Sequence, residues 1–141
     1  MAMKEITNVD DLASVKKVVY ASVKLTPESK DKLLVWCLAQ KFLLPEIKAH
    51  HMTIVFSPSK EVAAKLPLGE EFELKVIGYA EDDNAQAVVV DCALPSNNAI
   101  KHITISHTSE TKPVYSNELL SKGITKEVNG PLLTGIVTAF C

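Results

Sequence analysis

Two stretches of the sequence repeat one alternation: His51-Met52-Thr53-Ile54 and His102-Ile103-Thr104-Ile105 each set a histidine, an apolar residue, a threonine and another apolar residue in line. In an extended strand, residues two apart share a face and their neighbours take the other. Each stretch is therefore expected to be a strand that shows imidazole and hydroxyl on one side. Met52, Ile54 and Phe56 in the first copy, and Ile103 and Ile105 in the second, take the side that buries. Two such strands laid side by side would bring two histidines and two threonines to one cleft.

The segments around these strands suit that arrangement. Residues 18–25 are rich in β-branched side chains and read as a strand; Thr26 then offers an N-cap and Pro27 fits the first helical position. Leu33, Leu34, Trp36, Cys37, Phe42 and Leu43 recur at helical spacing, giving a face that packs on a sheet. Ser57-Pro58-Ser59 stops the first motif strand, spanning 50–56, and starts a short helix through Lys65. Strands over 71–80 and 85–92 are joined by the hairpin-like Glu81-Asp82-Asp83-Asn84, and a turn at 95–98 leads into the second motif strand, 100–106. A loop over 112–120 enters a short helix ended by Gly123. Gly130-Pro131 precedes a last apolar strand, 132–140. Short turns imply mostly antiparallel pairing in a mixed α and β fold, one domain over 1–141 with 1–16 peripheral.

Composition narrows the ligands. The formal charge of −2 on 141 residues provides no basic surface for sequence-blind binding of long nucleic acid, so a small or terminal substrate is expected. All 15 cationic residues are lysine. Without guanidinium forks, phosphate must be held by hydroxyls, backbone N–H groups, His or Lys. No apolar run approaches a membrane span and the N-terminus lacks an apolar leader, so a soluble, cytoplasmic monomer that contacts no membrane is expected. Cys37, Cys92 and Cys141 are odd in number and set among apolar residues, which points to structural thiols.

The chemistry that the pair suggests is cleavage of a phosphodiester. One proton must leave the attacking oxygen and one must reach the departing oxygen, and imidazole titrates close enough to neutrality for both tasks. His51 and His102 are the expected base and acid. Thr53 and Thr104 would donate to the non-bridging oxygens as charge builds there. Strand parity turns His50 and His107 away from the cleft, and no carboxylate sits at ligand spacing, so neither metal nor another cofactor is expected. Lys112, Tyr115, Ser116 and Asn117 are the loop residues expected to touch substrate, with Tyr115 stacking on a base.

These paired His-x-Thr motifs, each followed by an apolar residue, resemble the two-histidine (2H) phosphoesterase superfamily over residues 17–141. The resemblance implies an α+β fold of two lobes, with pseudo-two-fold duplicated antiparallel sheets, helices outside and a central cleft. It also implies hydrolysis or ligation of RNA ends or cyclic phosphates, commonly a 2′,3′-cyclic phosphate opened to a monoester. The segment from His107 to Leu120 is similar to the substrate-side loop of the cyclic phosphodiesterase domain of tRNA ligases. Within the same chemistry, the alternative substrates are cyclic di- or oligonucleotide signals, as for phage-encoded members that blunt host immunity in the host cytoplasm. From another class, the alternative is a silent module that binds an RNA end or nucleotide. The 51-residue spacing of the motifs is short for the superfamily, so the intervening lobe must be compact.

Overall fold

A computed structural model describes residues 3–40 and 43–141; Phe42, expected on the first helix's apolar face, lies outside the described residues. In chain order the elements are β1 (Glu5–Ile6), a 3-10 turn (Val9–Ser14), β2 (Tyr20–Leu25), α1 (Pro27–Gln40), β3 (Glu46–Ile47) and β4 (His51–Phe56). There follow α2 (Lys60–Ala64), β5 (Glu71–Glu81), β6 (Ala85–Asp91), β7 (His102–His107), α3 (Tyr115–Ser121), β8 (Lys126–Glu127) and β9 (Leu132–Phe140). The long strands and all three helices start and stop within a few residues of the sequence signals. Ser59 caps α2 by accepting from the Val62 N–H, and Gly123, with φ 71, takes the left-handed turn beyond α3.

Six strands close into an antiparallel barrel in the order β9-β2-β4-β7-β6-β5, because β5 also pairs with β9. The short β1, β8 and β3 extend it beside β9, β5 and β7. Mixed α and β structure with antiparallel ladders is as expected. The two duplicated sheets of a bilobal molecule are replaced by one closed surface. The physical reason lies in β9, which gives one edge to β2, from Tyr20↔Phe140 to Leu25↔Gly135, and the other to β5, from Glu71↔Ile136 to Lys75↔Leu132. The two ladders overlap at Gly135 and Ile136, where both edges of β9 are paired.

The core gathers Val23, Met52, Leu74, Val88, Ile103 and Leu133, all fully buried, with Leu33 and Cys37 of α1 packed into the same cluster. Trp36 is half-buried and sits edge-on to Tyr79 at 6.0 Å. On other sides, Leu119 and Leu120 of α3 cover Ala80, Ala85 and Ala87, while Ala63 of α2 meets Ile6, Leu12 and Val18. The N-terminal segment is thus packed through Ile6 and Leu12. The three cysteines are free, and burial pushes the Cys37 thiol up to about 12. Among the described residues, no helix is long and apolar enough to cross a membrane.

Two backbone features hold β4 in place. Non-glycine residues with left-handed φ bracket it, Ala49 at 54° and Ser57 at 50°. Such conformations are strained for L-residues and turn the chain sharply at either end of the strand.

Candidate active site

β4 and β7 are neighbours and run antiparallel, with Met52 opposite Ile103. On one side of that pair the ladder gives way to bonds from the Lys48 and Ala49 amides to the Ile105 and Thr104 carbonyls of β7. The two motifs therefore meet at this one pair, in the middle of each His-x-Thr stretch. Met52 and Ile103 are fully buried in the core. His51, Thr53, His102 and Thr104 all line one cavity of about 570 Å³, a size typical of small-ligand sites.

The two imidazoles have different surroundings. His102 is buried, and its Nδ1 lies 2.8 Å from the Ile100 carbonyl oxygen. A carbonyl only accepts, so Nδ1 carries the hydrogen and Nε2 is the nitrogen left to exchange protons. Burial lowers the pKa of His102, and the Ile100 contact offsets part of that fall. The ring of His51 lies 5.1 Å from that of Tyr20 and 6.0 Å from that of Phe140. Burial, reinforced by the charges of His50 and His102, lowers His51 to about 4.

The loop residues divide. Lys112 and Asn117 line the cavity beside Pro113 and Val114. Ser116, also expected to touch substrate, is fully buried and sits 2.7 Å from the Thr104 hydroxyl, so it positions that threonine instead. Tyr115 does not line the cavity. Its hydroxyl donates to the Asp82 carboxylate at 2.5 Å and accepts from Lys122 at 2.7 Å, which ties α3 to the β5–β6 turn. The half-buried Asp82 is pushed up by its burial, but the bonds from Lys122, Tyr115 and the Asn84 and Ala85 amides outweigh this and hold it at about 2.

Three cavity features depart from strand parity or from turn signals. His50 was expected to point away, yet it lines the cavity with Lys48, because β4 begins only at His51 and the left-handed Ala49 breaks the alternation. Phe56, expected on the buried side, is 70% exposed at the cavity rim, where the strand gives way to the left-handed Ser57. Its ring stacks on Tyr20 at 6.0 Å and 12°, and Tyr20 stacks in turn on Phe140 at 4.6 Å. Asn97 and Asn98, whose sequence signal is that of a turn alone, also line the cavity; the Asn97 N–H donates to the Ile54 carbonyl and Ser96 donates to that of Thr53. His107 is buried away from the cavity, with Nδ1 2.8 Å from the Thr108 carbonyl oxygen. Among the described residues, no three His, Cys, Asp or Glu side chains gather as metal ligands.

Comparison with the curated proteins finds no match. The family model of the fungal tRNA ligase phosphodiesterase domain matches residues 52–131. That span starts at Met52, one residue past His51, and takes in Thr53, the whole second motif and the loop through Asn117. Covering more than half of the sequence, the match shows that the chain belongs to the fungal tRNA ligase phosphodiesterase domain family, whose domain is of the two-histidine phosphoesterase type.

Proposed function

We propose that the chain opens a 2′,3′-cyclic phosphate at an RNA end to a phosphomonoester, using His51 as base and His102 as acid and needing no metal. Family membership brings phosphodiesterase activity in general. The observation that carries the finer reading is the pairing of Met52 with Ile103, with both motif histidines lining the same cavity.

Neutral His51, held deprotonated by its surroundings, takes a proton from water as the water oxygen bonds to phosphorus. The bond from phosphorus to one ribose oxygen breaks, and imidazolium His102 delivers a proton to that oxygen through Nε2. The Ile100 carbonyl, accepting from Nδ1–H, favours the charged form of this ring, which suits it to the acid's part. Each turnover leaves His51 protonated and His102 neutral, and exchange with solvent resets them. Thr53 and Thr104 donate to the non-bridging oxygens; the Thr104 hydroxyl, held 2.7 Å from that of Ser116, turns its proton from the Pro113 carbonyl, 3.4 Å away, to phosphate when substrate binds. The exposed face of Phe56 is the surface on which a base stacks.

The test is turnover of 2′,3′-cyclic mononucleotides, 2′,5′-linked oligonucleotides and cyclic dinucleotides in EDTA. Expected is opening of the cyclic phosphate in chelator, with His51→Ala and His102→Ala each reducing kcat by roughly 10²–10⁴-fold, the usual scale of general acid–base catalysis. On a p-nitrophenyl phosphodiester, whose leaving group needs no proton, His102→Ala should lose much less than His51→Ala. A requirement for divalent metal, or turnover of cyclic dinucleotides alone, overturns the reading.

A further inference from the structure

The cavity extends past His51 into a corner that the acid–base pair does not use. Lys48 and His50 line it there, and the Nζ of Lys30 lies 3.5 Å from His50 Nδ1. We propose that Lys48, His50 and Lys30 form a second phosphate subsite, which takes the 5′-phosphate of the same nucleotide whose 2′,3′-cyclic phosphate is opened. The proposal rests on the function proposed above and adds to it a recognition element: a phosphate on the 5′ side of the opened nucleotide, which favours substrates that carry one over a bare cyclic nucleoside phosphate.

Three observations support it. First, the cations converge without a matching anion. The one carboxylate that joins the group, Glu5, is engaged by Lys24 at 2.5 Å, and among the described residues no ion pair occupies Lys30 or Lys48. Burial, and then the charges of Lys30, Lys48 and Lys24 in turn, hold the pKa of His50 below its ordinary value, so the corner resists further positive charge and accepts a negative one. Second, the rings of His50 and His51 are nearly parallel, 17° apart, with centroids 6.5 Å apart. His50 is thus the neighbour of His51 on the cavity wall, and an anion held by His50 and Lys48 would lie beside a phosphate at His51. Third, the corner is held by strain. Fully buried Ala49 adopts φ 54, and its N–H and that of Lys48 donate to the Thr104 and Ile105 carbonyls of β7. Left-handed backbone at a non-glycine residue persists where surrounding structure enforces it and collects at functional sites. With no arginine in the chain, lysine and histidine are the cations available for such a task.

The experiment compares adenosine 2′,3′-cyclic phosphate with the same compound carrying a 5′-phosphate and with a dinucleotide ending in the cyclic phosphate. Expected is a kcat/KM higher by about ten- to a hundredfold for the two phosphorylated substrates, the scale of one or two charge-assisted hydrogen bonds. The gain should appear in KM and shrink as salt rises. In Lys48→Ala and Lys30→Gln the ratio between substrates should approach one. Binding of adenosine 2′- and 3′-phosphate and of the corresponding 2′,5′- and 3′,5′-bisphosphates, measured by calorimetry, gives the same ratio without turnover. If no cyclic phosphate is opened, the function fails while the binding ratio still judges the subsite. Equal binding and equal kcat/KM with and without the 5′-phosphate overturn the subsite and leave the function standing.

Discussion

At the scale of single residues, the proposed reaction depends on two imidazoles whose environments depress both pKa values. The form competent to react has one proton shared between them. With His51 at about 4 and His102 below its ordinary value, the population of that form in the free enzyme peaks below pH 6.5. kcat/KM should therefore be greatest on the acidic side of 6.5 and fall about tenfold per pH unit above the upper pKa. The kcat profile should lie higher in pH, since a bound phosphate anion stabilises imidazolium. A pH–rate series on one cyclic phosphate checks both, and a kcat/KM optimum above pH 7 would contradict the arrangement. Phe56→Ala should raise KM by about 5- to 100-fold, the loss of one stacked base, whereas Tyr115→Phe should leave KM close to the parent's. The motif histidines and threonines were legible because a two-residue period fixes the face of a strand. His50 and Phe56 were not, since each sits beside a residue, Ala49 or Ser57, whose left-handed turn nothing in its side chain announces. Tyr115 misled because a tyrosine in a polar loop looks the same in sequence whether it faces a ligand or, as here, Asp82.

At the scale of elements, long strands and capped helices could be recognised from local chemistry: β-branched runs, Thr26-Pro27 before α1, Ser59 before α2. The two-residue strands β1, β3 and β8 could not, because they owe their existence to a neighbour's open edge more than to their own residues. An element that carries no motif residue, β9, bears on the site through its pairing with β2 and through Phe140, whose ring lies 6.0 Å from that of His51. Between Leu25 and Phe72, its two partners, Gly135 leaves no room for a methyl group: an added Cβ would lie 2.6 Å from Val23 Cγ1 and 2.9 Å from the Lys24 carbonyl oxygen. The second obstacle is backbone and cannot rotate away. Gly135→Ala should cost about 1–3 kcal/mol by overpacking, measured as a shift in urea midpoint with little change in slope. Since β2 lies between β9 and β4, the variant should also loosen the Lys24–His51 pairing that holds His51 in place.

At the scale of the whole molecule, the closure of the barrel was the feature least open to sequence. Alternation says which face of β9 is buried, but both faces of the question, which strand lies on its left and which on its right, are settled by partners more than 40 residues away. Folding also takes His102, and most of the His51 ring, out of water, and that has a consequence for stability. In the unfolded chain His51 titrates near 6.5, and in the folded chain near 4. Between those values the unfolded state binds more protons, so stability is complete above pH 6.5 and declines as pH falls toward 4. His102 and His50, also lowered, act in the same direction. The contribution of His51 is at most about 3.5 kcal/mol, because each tenfold change in proton affinity is worth about 1.4 kcal/mol. Asp82 works in a separate window: with its carboxyl held at about 2, its stabilisation is present above the ordinary value of 3.8 and is lost as pH falls through 2. Urea unfolding at pH 7.5, 4.5 and 3 separates the two. The parent should lose stability between 7.5 and 4.5, and a His51→Gln variant should lose measurably less over that interval. Asp82→Asn should behave like the parent there and differ from it by a stability offset that is largest at pH 7.5 and 4.5 and begins to close at pH 3. An unchanged acid loss in His51→Gln would mean that its ring is solvated in the folded protein, and the low-pH optimum of kcat/KM would lose its physical basis at the same time.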